Sequence, residues 1–233
     1  GTVTLLYTAG ELNASGHYYG VRANGSSTAT LTNATATGEN GYGAFAVDNA
    51  EITVLGDVEA VKNGSDGVVA WQSSNITVRG NATGNSLAAK TETSSTIYIE
   101  GDATTTGTDP GDVGVFASGN GKITVDGVIS VVKPENYVRV NGANFKIDQK
   151  ILPTTQSGYH TYMHPSHTGP EDSVVWVKQA DTPSTFIEVS TSDELKDALD
   201  ALSGGETIKL TANIDYNDSI TISKEITFDV GQY

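Results

Sequence analysis

Read for the spacing of its apolar and polar positions, the chain carries one pattern from Gly20 to about Ile151: Gly, apolar, any, Ala, a gap, then Ile, any, Val, any, Gly. Its first half reads GVRA at Gly20, GAFA at Gly43, GVVA at Gly67, GVFA at Gly114 and, degraded, NYVR at Asn136. The second half begins nine residues later as ATLTN from Ala29, ITVLG from Ile52, ITVRG from Ile76, ITVDG from Ile123 and FKIDQ from Phe145. One further copy, LAAKT and then IYIEG at Ile97, reads with an extra residue between its halves. Inside each half the alternation has period two, the signature of a strand whose successive side chains point to opposite faces.

Stacked copies line up like residues. Ile52, Ile76, Ile97, Ile123 and Phe145 form one predicted interior column; Val54, Val78, Ile99, Val125 and Ile147 form a second. A single copy buries too little to stand alone, whereas copies laid one on the next enclose a continuous core. Spacings of 24, 21 and 26 residues between Ile52, Ile76, Ile97 and Ile123 leave room for two or three short strands per coil. The prediction is an all-β, right-handed parallel β-helix, right-handed crossover being the rule for parallel strands. Gly56, Gly80, Gly101 and Gly127 mark corners, each followed by a short third strand such as DVEAV or VISVV.

After Ile151 the repeat lapses. Residues 153–185 read as an irregular linker holding three histidines, Pro165, Pro170 and one short strand, SVVWVK from Ser173. Within 186–233 the spacing of Leu195, Ala198, Leu199 and Leu202 predicts one short helix near 192–203, opened by a Thr191/Glu194 capping box and stopped by Gly204 and Gly205. TIKL, ITI and ITFDV follow as strands. Residues 1–152 thus form the β-helix, and 186–233 either begin the first rung of a second one or cap the first.

The repeat grammar over residues 1–151 resembles right-handed parallel β-helices of the pectate-lyase-like class, particularly the solenoid segments of large bacterial surface proteins. The order of elements in 186–233 resembles the capping rung with which many such domains begin. The resemblance implies the fold and an extracellular or cell-surface, bacterial setting; it carries no catalytic signature.

Composition changes the picture by exclusion. Lys+Arg 13 against Asp+Glu 28 gives a net charge of -15, and no basic patch is visible, so nucleic acid is not an expected partner. Cys 0 removes disulfides, thiolate zinc and a cysteine nucleophile. No apolar run reaches the roughly 18 residues of a membrane helix, so membrane insertion is not expected either.

The candidate chemistry is sparse. Asp57, Asn81 and Asp102 hold matching places after corner glycines; they read as an Asn/Asp hydrogen-bonding ladder or as oxygen ligands for Ca2+. His160, His164 and His167 fall close together without a known metal spacing. The solvent column Thr30, Thr53, Thr77, Tyr98, Thr124, Lys146 has no carboxylate, so no catalytic residue is assigned. Loop-length variation gathers at one corner, which bears Glu39, Asp66, Asp109, Asp112 and Glu135, read as solvated carboxylates or as an acidic edge that recruits calcium or a basic partner. The middle residue of the first half should face out, giving Arg22, Phe45, Val69, Lys90, Phe116 and Val138, with Trp71 nearby. Apolar side chains in an outward column mark a contact surface, unless the C-terminal segment packs on them or the inside/outside reading is reversed. Phe45, Val69, Trp71 and Phe116 are therefore the candidate binding residues. The expected function is a non-catalytic stalk or adhesin that binds glycans or a host or bacterial surface protein. The alternative is a polysaccharide lyase or glycoside hydrolase of the pectate-lyase-like class.

Overall fold

The computed structural model describes residues 4–5, 12–151, 154–164, 172–179, 186–201, 207–216, 219 and 227–229. They fall into two compact units, Gly1–Gln179 and Ala180–Tyr233. The first is a right-handed parallel β-solenoid of about eight turns. Each full coil runs through three sheets. Sheet A contains Thr28–Leu31, Glu51–Val54, Asn75–Val78, Thr96–Ile99 and Lys122–Val125; sheet B contains Asn33–Ala36, Val58–Ala60, Ala82–Gly84 and Ala103–Thr105. Sheet C contains Tyr42–Val47, Asp66–Ala70, Leu87–Thr91 and Val113–Ala117.

The registers stack like on like. Ile52, Ile76, Ile97 and Ile123 are successive partners in sheet A, with Val54, Val78, Ile99 and Val125 beside them. All are buried, facing Ala34, Val58, Ala82 and Ala103 of sheet B and Ala46, Ala70 and Ala117 of sheet C. Alanine and valine on sheets B and C and mostly isoleucine and valine on sheet A make one continuous core between the three sheets. Ala88 occupies the place of Gly67, so the LAAKT copy has no extra residue.

Two tight corners shape each coil. Between sheets C and A the chain turns on pairs of left-handed residues: Asp48 and Asn49 (φ 61 and 66°), Gln72 and Ser73 (54 and 62°), Thr93 and Ser94 (55 and 58°), then Gly119 and Asn120 (56 and 68°). The N–H groups of Asn49, Ser73 and Ser94 donate to the carbonyls of Gln72, Thr93 and Gly119 one coil on, at 2.7–2.9 Å. Stacked corners thus share hydrogen bonds as strands do, which offsets the strain of positive φ in residues with a Cβ.

The C-terminal end departs from the expected repeat. Phe145 and Ile147 do not continue the sheet A columns. Ala143–Phe145 instead folds back antiparallel on Val138–Val140 in sheet C, through a turn at Asn141 and Gly142 with φ of 46 and 86°. Ile147 lies exposed. Asn-Gly demands a tight reversal of this kind, and it ends the parallel repeat before the FKIDQ segment. Sheet A is completed by the 153–185 segment, which supplies two strands: Val174–Lys178 pairs parallel with Lys122–Val125, and Tyr159–Met163 pairs antiparallel with it. Val175 and Val177 take the places expected for Phe145 and Ile147, and Trp176 that of Lys146.

The hairpin is pinned by one carboxylate. Tyr159 Oη donates to Asp126 Oδ1 at 2.6 Å, Tyr98 Oη to Asp126 Oδ2 at 3.0 Å, and Lys178 Nζ lies 3.6 Å from Oδ2. Burial and then the bond to Asp126 push the Tyr98 phenol up, while the bond to Asp126 and then burial push Tyr159 up to about 12. Buried Tyr162, against Tyr137 and Phe145, plugs the end of the core and donates to the Ile147 carbonyl at 2.7 Å.

In the second unit the helix Ser192–Ala201 opens with the expected capping box: Thr191 N–H donates to Glu194 Oε2 at 3.2 Å and Glu194 N–H to Thr191 Oγ1 at 3.3 Å. Hydrogen bonds from Ser190 and Thr191 hold the Glu194 carboxyl below its usual range. Phe186–Val189, Thr207–Leu210 and Thr227–Asp229 form a parallel sheet, and Leu195 and Ala198 pack on Val189 and Ile208. Leu202, Gly204, Gly205 and the ITI segment lie outside the described residues.

Two outcomes test this architecture. Ile76→Asp buries an unpaired charge between two coils and lowers unfolding free energy by more than about 4 kcal/mol; Thr77→Asp on the outer face changes it by less than about 0.5 kcal/mol. Equal losses in urea titration contradict the assignment of faces. At the strained corner, Thr93→Gly removes a β-branched side chain from φ 55° and raises stability by about 1 kcal/mol, read as an upward shift of the urea midpoint.

Candidate functional site

Three surface features collect the polar and aromatic candidates. The first is the ladder. Asp57 N–H donates to Asn33 Oδ1 (2.8 Å), Asn81 N–H to Asp57 Oδ1 (2.8 Å), Asp102 N–H to Asn81 Oδ1 (2.9 Å) and Val128 N–H to Asp102 Oδ1 (2.8 Å). Each side chain spans one coil and satisfies an amide at the corner between sheets A and B. The preceding glycines are required for steric reasons: a Cβ on Gly56, Gly80, Gly101 or Gly127 would collide with the ladder oxygen of the coil before it. Asp57, Asn81 and Asp102 therefore do stack, with one oxygen of each committed to backbone. Beside the ladder's first coils lies an open groove of about 340 Å³ lined by Asn13, Asn33, Thr35, Asp57 and Glu59. It holds two carboxylates, one of them engaged in the ladder.

The second feature is the histidine segment. His160 sits in the strand Tyr159–Met163, 3.4 Å from Lys150 Nζ through Nε2, and burial together with that lysine lowers its pKa. His164 follows the strand and His167 lies outside the described residues. Among the described residues no three His, Asp or Glu side chains are placed to hold a metal ion.

The third feature is the outer face of sheet C. Register defines its central column as Arg22, Phe45, Val69, Lys90, Phe116 and Arg139. Val138, expected in this column, pairs with Val115 and is buried in the core; the 3-10 turn Pro134–Asn136 shifts the last copy by one residue. A flanking column runs Tyr19, Tyr42, Asp66, Leu87 and Val113. Phe45, Val47 and Val69 form a hydrophobic cluster separate from the main core, and Tyr19, Tyr42 and Trp71 pack on it. The outward reading of Phe45 and Val69 holds, yet both are buried, at 5% and 0% exposure. They are the floor of an aromatic layer.

The layer itself is built from rings in contact. Tyr19 and Tyr42 stack at 5.7 Å with an 18° interplanar angle, Tyr18 meets both edge-on at 4.8 and 5.6 Å, and Trp71 meets Phe45 edge-on at 5.2 Å. Tyr18 is 45% exposed. Cations lie on the rings: Arg22 over Tyr19 and Phe45 at 5.2 and 5.6 Å, Lys90 over Trp71 and Phe116 at 5.4 and 5.7 Å. Lys90 is also paired with Glu92 at 3.1 Å. Burial, with Tyr18 and Asp66 close by, pushes the Tyr42 phenol up to about 12.

Asp66 stands at the Tyr42 position of the next coil, between Tyr42 and Leu87. Burial raises its carboxyl to about 7; Lys90 opposes the rise and Asp112 adds to it. Asp66, expected among solvated loop carboxylates, belongs to this face, as do Tyr18, Tyr19 and Tyr42, which the repeat pattern does not assign to it. The signal was present one position before the repeat glycine, in the pairs Tyr19-Gly20, Tyr42-Gly43 and Asp66-Gly67. No family model, curated protein or solved structure matches this chain.

Asp66 makes a measurable demand on stability. The folded chain holds its proton to about pH 7, while the unfolded value is 3.8. Below both values the group is neutral in either state; above 3.8 the unfolded chain ionises first, and the penalty grows until pH 7 and is constant beyond. Asp66→Asn therefore leaves Tm unchanged at pH 3.5 and raises it on the order of 3 °C at pH 7.5, a difference that differential scanning calorimetry resolves.

Proposed function

We propose that this chain is a non-catalytic solenoid segment of a bacterial surface protein, a stalk or adhesin that presents the outer face of sheet C to glycans. The observation that carries the reading is the aromatic layer of Tyr18, Tyr19, Tyr42 and Trp71 on the outside of a sheet whose inside is already a complete core. The stacking of coils does not require a second apolar cluster on the far side of the sheet. Rings at a surface offer flat apolar area to the C–H faces of sugars, and the tyrosine hydroxyls supply hydrogen bonds at the rim. A solenoid repeats such positions at about 4.8 Å per coil, so consecutive sugar units meet consecutive coils. The extracellular, cell-surface setting belongs to the same proposal and draws on the resemblance to solenoid segments of bacterial surface proteins.

The test is affinity gel electrophoresis in soluble polysaccharides, covering neutral galactomannan, xyloglucan and mixed-linkage glucan and acidic polygalacturonate and alginate. Wild-type protein is retarded by at least one of them, and Tyr42→Ala with Trp71→Ala weakens that retardation at least tenfold while circular dichroism keeps its β-sheet form. No retardation by any polysaccharide, or unchanged retardation of the double variant, rejects the reading.

A further inference from the structure

The aromatic layer contains one group that neither packing nor the ladder explains. Asp66 sits half-buried between Tyr42 and Leu87, beside the second apolar cluster. Its backbone N–H is used, donating to the Gly41 carbonyl at 2.9 Å. Its carboxylate is not: among the described residues no N–H or O–H donates to it. The nearest cation, Lys90, is paired with Glu92 at 3.1 Å and laid over Trp71 and Phe116. Asp112, the other charged group close by, is an acid whose Oδ2 accepts the Asp109 N–H at 2.7 Å. A half-buried carboxylate without a donor is an acceptor in deficit, and such groups carry a full desolvation penalty unless something supplies hydrogen bonds. Just past the far end of the same strand, the indole Nε1 of Trp71 is a buried donor with no acceptor among the described residues. Acceptor and donor thus both stand unmet in one aromatic layer.

We propose that Asp66 is the specificity-determining residue of this face, accepting hydrogen bonds from hydroxyl groups of an uncharged sugar stacked against the tyrosines. The inference rests on the glycan reading above and narrows it to neutral, hydroxyl-rich glycans. A vicinal diol supplies two donors to one carboxylate, which settles the acceptor deficit without introducing a charge. An acidic sugar would set a second negative group beside Asp66 and Asp112 and is disfavoured at this end of the face. The same chemistry separates Asp66 from a residue kept for stability: the free protein is more stable without it, and the ligand is what it serves.

Three variants, Asp66→Asn, Asp66→Leu and Tyr42→Ala, decide the matter in the same electrophoresis with neutral galactomannan, xyloglucan and mixed-linkage glucan against polygalacturonate and alginate. Retardation by a neutral polysaccharide, lost at least tenfold in Asp66→Leu while its Tm at pH 7.5 rises, is the expected result. Asp66→Asn keeps one acceptor oxygen and retains part of the retardation. If Tyr42→Ala abolishes binding and Asp66→Leu binds like wild type, the role of Asp66 is overturned while the glycan reading stands. Binding of the acidic polymers alone also overturns it. If no polysaccharide retards the wild-type protein, both fall together.

Discussion

Everything in the first unit follows from the demand that each residue lie about 4.8 Å from its counterpart in the next coil. Parallel in-register pairing makes every interior position a column, and a column tolerates only side chains that pack on their counterparts one coil away. Isoleucine and valine do so in sheet A; in sheets B and C alanine and valine share the columns, as in Ala34, Val58, Ala82 and Ala103 and in Ala44, Val68, Ala89 and Val115. The same rule governs polar positions. Asn33, Asp57, Asn81 and Asp102 form a ladder because each offers an oxygen one coil away from an unpaired amide. The corner serines obey it too, Ser74 Oγ accepting from Ala50 N–H and Ser95 Oγ from Ser74 N–H. The outer face of sheet C escapes the rule, and there the chain departs from repetition.

This division explains what the sequence reveals. Interior columns are legible because stacking forces the same residue type to return at each coil, so Ile52, Ile76, Ile97 and Ile123 declare both the fold and its register. The end of the repeat is less legible. Replacing one parallel strand with an antiparallel turn at Asn141-Gly142 changes the topology without changing the local alternation of Phe145 and Ile147. The strand Val174–Lys178 joins sheet A by pairing with residues some fifty positions earlier and brings Tyr159–Met163 with it as a hairpin partner, which no local period reports. The aromatic layer was half visible. Phe45, Val69, Trp71 and Phe116 sit in or beside the expected outward column, but Tyr19, Tyr42 and Asp66 precede the repeat glycine and look like corner residues. Their membership in the face depends on an irregularity at Gly20, Gly43 and Gly67, where two consecutive residues turn inward.

The two faces of sheet C divide labour between stability and recognition. Inside, Ala44, Ala46, Val68 and Ala70 are complete packing partners for the core. Outside, a second cluster places rings, two cations and one unsatisfied acid on a backbone that the interior has already fixed. A site built on strands whose positions are set from behind loses little conformational entropy when a ligand arrives. The penalty at Asp66 is affordable for the same reason, since the coils above and below remain fully packed whether or not that carboxyl is ionised.

The hairpin that completes sheet A gives the first unit a direction in time. Coils pair residues 20 to 26 positions apart, so each can close soon after it is made, whereas joining Lys122–Val125 to Val174–Lys178 closes a loop twice as long. Doubling a loop adds only about 0.6 kcal/mol of closure entropy, but it fixes an order of events. Until Lys178 has been synthesised, Lys122–Val125 remains an unpaired edge bearing Ile123 and Val125, open to the equivalent edge of another nascent chain. Asp126 at that edge adds a negative charge that repels such a neighbour, and on arrival Tyr159 and Lys178 claim that charge. One carboxylate thus guards the growing end and later fastens the piece that closes it.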